Sequence, residues 1–308
     1  MSLAPSIPVP RAAFNPLPVY IALFCLLWSF AFVAGKIGVT DCPPLILLTA
    51  RFSLAGILIL GISALRGVAW SLSWRVTLVF AVLGVANNAL YLGLGFTGLK
   101  TVSAGLGGLI VSADPVFTAG LAALFLGEPL TWRRISGLLL GIAGVGFIVW
   151  HRLSVGTDSP FGILFTLASL ASIVAGTILF KLLAPKGSLC VGNGVQNLAA
   201  GIVLLPFAFT LSSIGDIVPS GRLVAAFVFL VLGGSILAYR LWFHLLRVCG
   251  ATAASAYHFL MPPLGMLFAW MVLGEHVEIR DMLGIVPVAF GIYLVTRPAA
   301  APAHSKAQ

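Results

Sequence analysis

Polar and turn residues cut this chain into ten apolar segments, at roughly residues 19–38, 44–65, 76–97, 102–125, 132–150, 161–183, 191–211, 223–244, 252–273 and 280–296. A helix crossing the hydrocarbon core needs about 20 residues, and most of these segments have that length. In lipid, every backbone N–H and C=O must find its partner inside a helix or a closed barrel. Apolar runs this long are therefore expected to be helices. With 60% hydrophobic and 8% charged residues, against about 25% charged in soluble domains, the chain cannot clothe a water-facing surface. The expected fold class is an all-α integral membrane protein with ten transmembrane helices.

The intervening breaks are too short for a soluble domain. Residues 1–18 hold five prolines and one basic residue, Arg11, and read as a disordered N-terminal tail. The first apolar run reads as a retained helix rather than a cleaved signal, because it is about 20 residues long and Lys36 follows it instead of preceding it. Residues 297–308 form the C-terminal tail.

A net charge of +9 invites comparison with nucleic-acid binders. The basic residues form no cluster, however, and punctuate the apolar runs, so no nucleic-acid partner is expected. With both termini on one side of the membrane, that side collects eleven Lys and Arg residues and the other five, Arg51 being inside a segment. The positive-inside rule makes the richer side cytoplasmic. Trp70, Trp74, Trp132 and Trp150 stand at segment ends, as an interfacial aromatic belt requires. Cys25, Cys42, Cys190 and Cys249 show no metal-ligand spacing, and no metal or cofactor is expected.

Leu126-Gly127-Glu128 recurs as Leu273-Gly274-Glu275, and its surroundings recur in register. Pro115 matches Pro262, Arg133 matches Arg280, Gly137 matches Gly284 and Gly144 matches Gly291. More weakly, Val82-Leu83-Gly84 resembles Val231-Leu232-Gly233, and Ala55-Gly56-Ile57 resembles Ala200-Gly201-Ile202. The first echo follows segment four and the second follows segment nine. Five is an odd number of crossings, so the second copy is inverted. The expected architecture is two inverted five-helix repeats, over residues 19–150 and 161–296. Inverted repeats are a recurring plan of secondary transporters, with the site near the midplane between copies.

The same residues resemble the EamA family of the drug/metabolite transporter superfamily. Its pattern is a proline in the fourth span of each repeat, then Leu-Gly-Glu, then a glycine-spaced fifth span. Trp28, Ala50-Arg51-Phe52 and the run from Gly98 to Gly105 also resemble its first repeat. The resemblance covers about residues 19–296. It implies a metabolite exporter of the inner (plasma) membrane. Aromatic amino acid exporters are among the family's members, and that is the type the resemblance suggests. Gln196 stands where Arg51 stands in the first copy, so any role for Arg51 is one-sided.

Polar groups at midspan are costly, which makes them informative. Asp114 is the only acid at midspan. It is either a protonatable group or counter-charge for a cationic substrate, or a structural carboxylate held by Arg51, Asn87 or Asn88. Met261 replaces it in the second copy. Arg51 either receives a substrate carboxylate, pairs with Asp114, or snorkels to the outer face. Asn88 and Tyr91, three apart, share a face of a regular helix, and Asn87 adjoins them. Tyr239 takes the comparable place in segment eight, with Trp242 on its face. Tyr257 and His258 lie in segment nine. With Trp28, these form the expected substrate pathway, the alternative for each being helix packing. Lys36 and Lys181 read as snorkelling residues. Pro115 and Pro262 read as hinges. Glu128 and Glu275, at helix ends, read as helix-capping or gating groups and oppose Arg133 and Arg280.

The expected function is export of a small metabolite by alternating access, amino acids first, aromatic or apolar ones in particular, with protons as a candidate coupling ion. No nucleotide-binding motif is present, which excludes ATP drive within this chain. No catalytic motif points to an enzyme. A lipid-carrier or drug exporter of the same superfamily and a non-transporting scaffold are the remaining alternatives.

Overall fold

The computed structural model describes residues 15–68, 72–111, 113–127, 131–155, 158–183 and 187–276, with isolated positions between 283 and 294. Glu128, Arg280 and most of the tenth segment lie outside the described residues, as do the C-terminal tail and residues 1–14. Among the described residues there is no strand, and seven helices are long and apolar enough to cross a membrane.

These seven are α1 (Leu17–Asp41), α2 (Pro44–Leu65), α3 (Trp74–Leu99), α4 (Ala104–Leu126), then α6 (Pro160–Leu183), α7 (Leu189–Leu211) and α8 (Gly221–Leu245). Between α4 and α6 lies α5 (Trp132–Val155), and a shorter apolar helix, α9 (Met261–Leu273), follows α8. Helix α1 starts at Leu17 because Pro18 falls in its first turn, where a missing N–H costs nothing. Ser73, Ser188 and Ser220 cap α3, α7 and α8, each side chain accepting a hydrogen bond from the backbone N–H three residues on.

The duplication is visible in three dimensions. The second part of α4, Asp114–Leu126, and α9, Met261–Leu273, have equal lengths. Each begins with a proline in its first turn, Pro115 and Pro262. Each ends on a left-handed glycine, Gly127 at φ 67° and Gly274 at φ 64°. The glycine of each Leu-Gly-Glu echo is thus a helix stop, at a backbone conformation that a Cβ penalises.

Helices α2 and α7 pack most extensively, and glycines set their contact. A Cβ on Gly201 would meet Ser53, one on Gly56 would meet Leu198, and one on Gly194 would meet Leu60. As the α2 number rises, the α7 number falls, so the two helices are antiparallel. The contacts are also reciprocal, since Gly56 corresponds to Gly201 and Ser53 to Leu198 in the repeat alignment. A pseudo-two-fold axis passes between them. Small residues at a membrane helix contact let backbones approach and gain dispersion energy.

Helical hydrogen bonding runs through Tyr239–Ala256, across the turn expected near Arg247, yet the rings of Trp242 and His258 lie 4.9 Å apart. Sixteen residues of straight helix would separate them by about 24 Å. The chain therefore doubles back between α8 and α9, as it does at Lys100 to Ser103 between α3 and α4.

Outward faces carry large exposed apolar side chains, among them Ile57, Leu164, Phe209 and Val224. Apolar patches this extensive would be untenable in water. The surface is built for lipid.

Candidate functional site

Two helices are locally rewound. Val85–Leu90 of α3 and Leu230–Ala238 of α8 are π-helical. They occupy matching positions, since Val82-Leu83-Gly84 precedes one and its echo Val231-Leu232-Gly233 overlaps the other. A π segment widens the turn and re-aims side chains, and it recurs at functional sites. In α3 it undoes the face expected of a regular helix. Asn87, rather than Asn88, reaches the central cavity beside Asp114. Asn88 is fully buried in helix packing with both amide atoms unmatched.

The Asn87 cavity has a volume of about 190 Å³. Asp114, Gln196 and Lys181 line it with Trp28, Tyr239, Trp242 and His258. Asp114 is buried at the restart of α4, where the helix is interrupted before Pro115. Its Oδ1 accepts a hydrogen bond from the Thr118 hydroxyl at 3.0 Å. No ion pair to Asp114 forms among the described residues, so the alternative in which Arg51 holds it is not realised. Aromatic rings close around the site. His258 lies edge-on to Phe24 and Trp28, with centroids 5.5 and 5.6 Å away, and Trp242 is nearer.

A second cavity, of about 40 Å³, is lined by Arg51, Tyr91, Phe96 and Ser169, again with Trp28 and Tyr239. Helix α6 shows how the two are arranged. Thr166 and Ser169 face the smaller cavity, while Ile173, Thr177, Phe180 and Lys181 face the larger. The cavities are stacked along the helix axes, separated by about one turn of α6. Trp28 and Tyr239, with ring centroids 5.2 Å apart, border both and form the partition.

The stacked cavities echo the repeat. Arg51 and Val111 line the smaller one, and their counterparts Gln196 and His258 line the larger. Tyr91 lines the smaller cavity, and Tyr239, in the comparable stretch of the second copy, borders both. The copies have therefore built two related chambers and furnished the matching positions differently, Arg51 and Val111 in one against Gln196 and His258 in the other, and the larger chamber also holds Asp114 and Lys181.

Arg51 does not snorkel. It is 2% exposed, and its Nε donates to Ser235 Oγ at 2.9 Å. Its guanidinium lies 5.4 Å from the Phe52 ring centroid and 5.7 Å from that of Phe96. Ser235 was missed from the sequence, although it follows the Val231-Leu232-Gly233 echo by two residues. Thr177 and Phe180 were missed as well, because nothing in an apolar run marks which face will turn inward. Tyr257 lines neither cavity. Its hydroxyl lies 3.9 Å from Cys249 Sγ, and its carbonyl accepts from Cys25 Sγ at 3.4 Å.

At one end of the bundle the chain is tightly closed. Lys36 was expected to snorkel, but its Nζ donates to the carbonyls of Leu99 and Val102, each at 2.7 Å. Asp158 accepts from the backbone N–H of Ser103 at 2.7 Å. Glu275 accepts from the N–H groups of Ala104 and Gly105 at 2.8 and 3.1 Å. Glu275 therefore caps a helix of the other repeat rather than the span that follows it, because the fold brings the free N–H groups of α4 to the end of α9.

The family model of the EamA-like transporters matches residues 17–150 and again 160–297. This chain belongs to the EamA-like transporter family. It is a multi-pass integral membrane protein. It is 28% identical over 291 residues to the uncharacterized inner membrane transporter YedA of Escherichia coli, covering 91% of each chain. It is 28% identical to an uncharacterized transporter of Synechocystis, covering 88% of this chain and 87% of that one. The uncharacterized transporter YoaV of Bacillus subtilis is 24% identical over 276 residues, with 88% and 93% covered. A solved crystal structure superposes with a TM-score of 0.67 at 20% identity, over 91% of this chain and 96% of its own. At that identity the likeness concerns the fold alone.

Proposed function

We propose that this EamA-family protein exports small amphipathic amines across the inner membrane by alternating access, with amino acids bearing aromatic or apolar side chains as the first class. In this reading ten spans form two inverted five-helix repeats, both termini are cytoplasmic, and the stacked cavities are successive stations on the path. The observation that carries it is the placement of Asp114, a buried carboxylate without an ionic partner among the described residues, in an aromatic-walled cavity. Tryptophan, tyrosine and phenylalanine walls accept an apolar side chain and attract a cation at their faces. Asp114 receives the ammonium group. Asn87 and Gln196 offer amide contacts, and His258 with Asp114 provides groups that could pass a proton. The cavity far exceeds the ~10–15 Å³ one water needs and is smaller than the ~300–1,000 Å³ of drug-sized sites. That size favours a small metabolite.

The test is uptake of labelled phenylalanine and leucine into inside-out membrane vesicles, with and without a pH gradient. Wild-type uptake above empty-vector vesicles, lost in Asp114→Asn, is the expected result. Equal uptake in wild type and empty vector would refute amino acid export. Flux that ignores the pH gradient in wild type, Asp114→Asn and His258→Ala alike would remove proton coupling.

A lipid-carrier reading has one observation in its favour, a groove of about 460 Å³ lined by Pro44, Leu94, Phe165 and Phe207 and running beside α2, α3 and α7. It shares no lining residue with either central cavity. A lipid in that groove would bypass Asp114 and Arg51, which is why metabolite export is preferred.

A further inference from the structure

We infer that Arg51 and the small cavity around it form a carboxylate-binding subsite, the second station for a zwitterionic substrate that has passed the Trp28–Tyr239 partition. This rests on the amine-export reading and narrows its substrate to amines that also carry a carboxylate.

Arg51 carries an uncompensated charge. It is 2% exposed, and its single hydrogen bond is from Nε to Ser235. Neither Nη makes a hydrogen bond or ion pair among the described residues. A guanidinium presents five N–H donors in a planar fork and stays charged. Burying one without an anion costs several kcal/mol, and the two phenylalanine faces beside it return only part of that. The side chain lines an empty space instead of a protein carboxylate.

The fold holds this fork open. The π segment of α8 brings Gly234 so close that a Cβ there would sit 2.9 Å from Arg51 Nη2. A glycine at that position leaves the guanidinium its room. Ser235, next along, fixes Nε, so the Nη edge is left for a ligand. The cavity of about 40 Å³ has room for about three waters by the one-water criterion, the scale of a carboxylate group rather than a whole metabolite. Its hydroxyl-bearing neighbours, Tyr91, Thr166, Ser169 and Tyr239, bring no competing negative charge.

Repeat symmetry gives the subsite its direction. Gln196 takes the place of Arg51 in the larger cavity, and no acid matches Asp114 in the smaller one. An ammonium group is therefore recognised at Asp114 and a carboxylate at Arg51, on opposite sides of one aromatic partition. A zwitterion engages both in turn, whereas an amine without a carboxylate meets only the first.

The experiment compares L-phenylalanine with phenethylamine, its analogue lacking the carboxylate, as fluxes through the full chain in proteoliposomes. The readout is the ratio of the two fluxes. Arg51→Gln should lower that ratio roughly ten-fold or more, the scale of one lost charge-assisted contact, and Arg51→Lys should restore part of it. If Arg51→Gln does not yield monodisperse protein, Gly234→Ala decides. Its added methyl displaces the fork without removing the charge, and it should lower the ratio in the same direction. An unchanged ratio in the well-folded variant overturns the subsite while leaving amine export intact. Wild-type protein that moves phenethylamine and not phenylalanine also overturns it. Flux of neither compound through wild type overturns the export reading on which the subsite stands.

Discussion

Glu275 caps the helix that begins at Ala104, its Oε1 accepting the Ala104 backbone N–H at 2.8 Å. The two residues belong to different repeats, so one side chain ties the end of α9 to the start of α4. A carboxylate at a helix N-terminus satisfies free donors and meets the positive end of the helix dipole. Glu275→Ala should lower stability by about 1–2 kcal/mol, the usual loss when a cap is removed. Thermal unfolding of the detergent-solubilised protein measures this. An unchanged Tm would show that the contact contributes nothing.

Close helix approach makes an opposite pair of glycine predictions. A Cβ on Gly84 would press into the backbone of Gln196, whereas one on Gly61 would meet nothing within 4 Å. Gly84→Ala should destabilise by about 1–3 kcal/mol through overpacking. Gly61→Ala should be neutral or gain up to about 1 kcal/mol from helix propensity. Equal Tm values for the two variants would contradict the close packing of α3 on α7.

Lys36 closes the same end of the bundle by donating to two carbonyls in the turn between α3 and α4. Lys36→Met keeps the apolar stem and removes the charge-assisted bonds. It should cost about 1–3 kcal/mol and make the turn at Lys100 to Ser103 easier to open. A cysteine placed at Ser103 should then react faster with a membrane-impermeant thiol reagent. Unaltered labelling would show that Lys36 does not hold this closure.

At the start of α8, Ser220 both caps the helix and donates to Asp41 at 2.5 Å, while Arg222 pairs with the same carboxylate. Arg222 is 63% exposed, but Asp41 is 2% exposed, and the guanidinium makes two hydrogen bonds to that carboxylate. Removing Arg222 leaves a covered carboxylate without its cation, whereas Ser220→Ala removes a cap and one hydrogen bond. Arg222→Ala should therefore destabilise at least as much as Ser220→Ala. A clearly higher midpoint for Arg222→Ala in thermal melts would overturn this ranking.

Trp28 and Tyr239 part the two cavities. Trp28→Ala should join them and convert gated transport into leak, seen as loss of substrate accumulation in vesicles while passive equilibration persists. Full accumulation in this variant would mean the partition lies elsewhere.

Much of the fold was legible in the chain. Long apolar runs dictate helices, because lipid offers no partner to an unpaired backbone group. The echo at Leu126-Gly127-Glu128 dictates a duplication, while the left-handed turn at its glycine emerged only from the structure. Candidate polar residues were legible by cost alone, since Asp114, Arg51 and Asn87 are expensive at midspan. Their grouping was not. The sequence placed Asn88 and Tyr91 on one α-helical face, but a π segment turned Asn87 inward instead. It offered Asp114 as a partner for Arg51, and the structure set them in separate cavities. It read Lys36 as a snorkelling side chain, and folding brought two free carbonyls within its reach.

The chain by itself determined which segments must be apolar helices and that the plan is doubled, because those depend on local composition and on what lipid will tolerate. Tertiary structure alone decided which buried charges meet. Distances between side chains on different helices depend on packing and helix phase, which a single misplaced turn can shift by a whole face. That is why Arg51 and Asp114, the two most conspicuous midspan charges, stand on opposite sides of the aromatic pair formed by Trp28 and Tyr239.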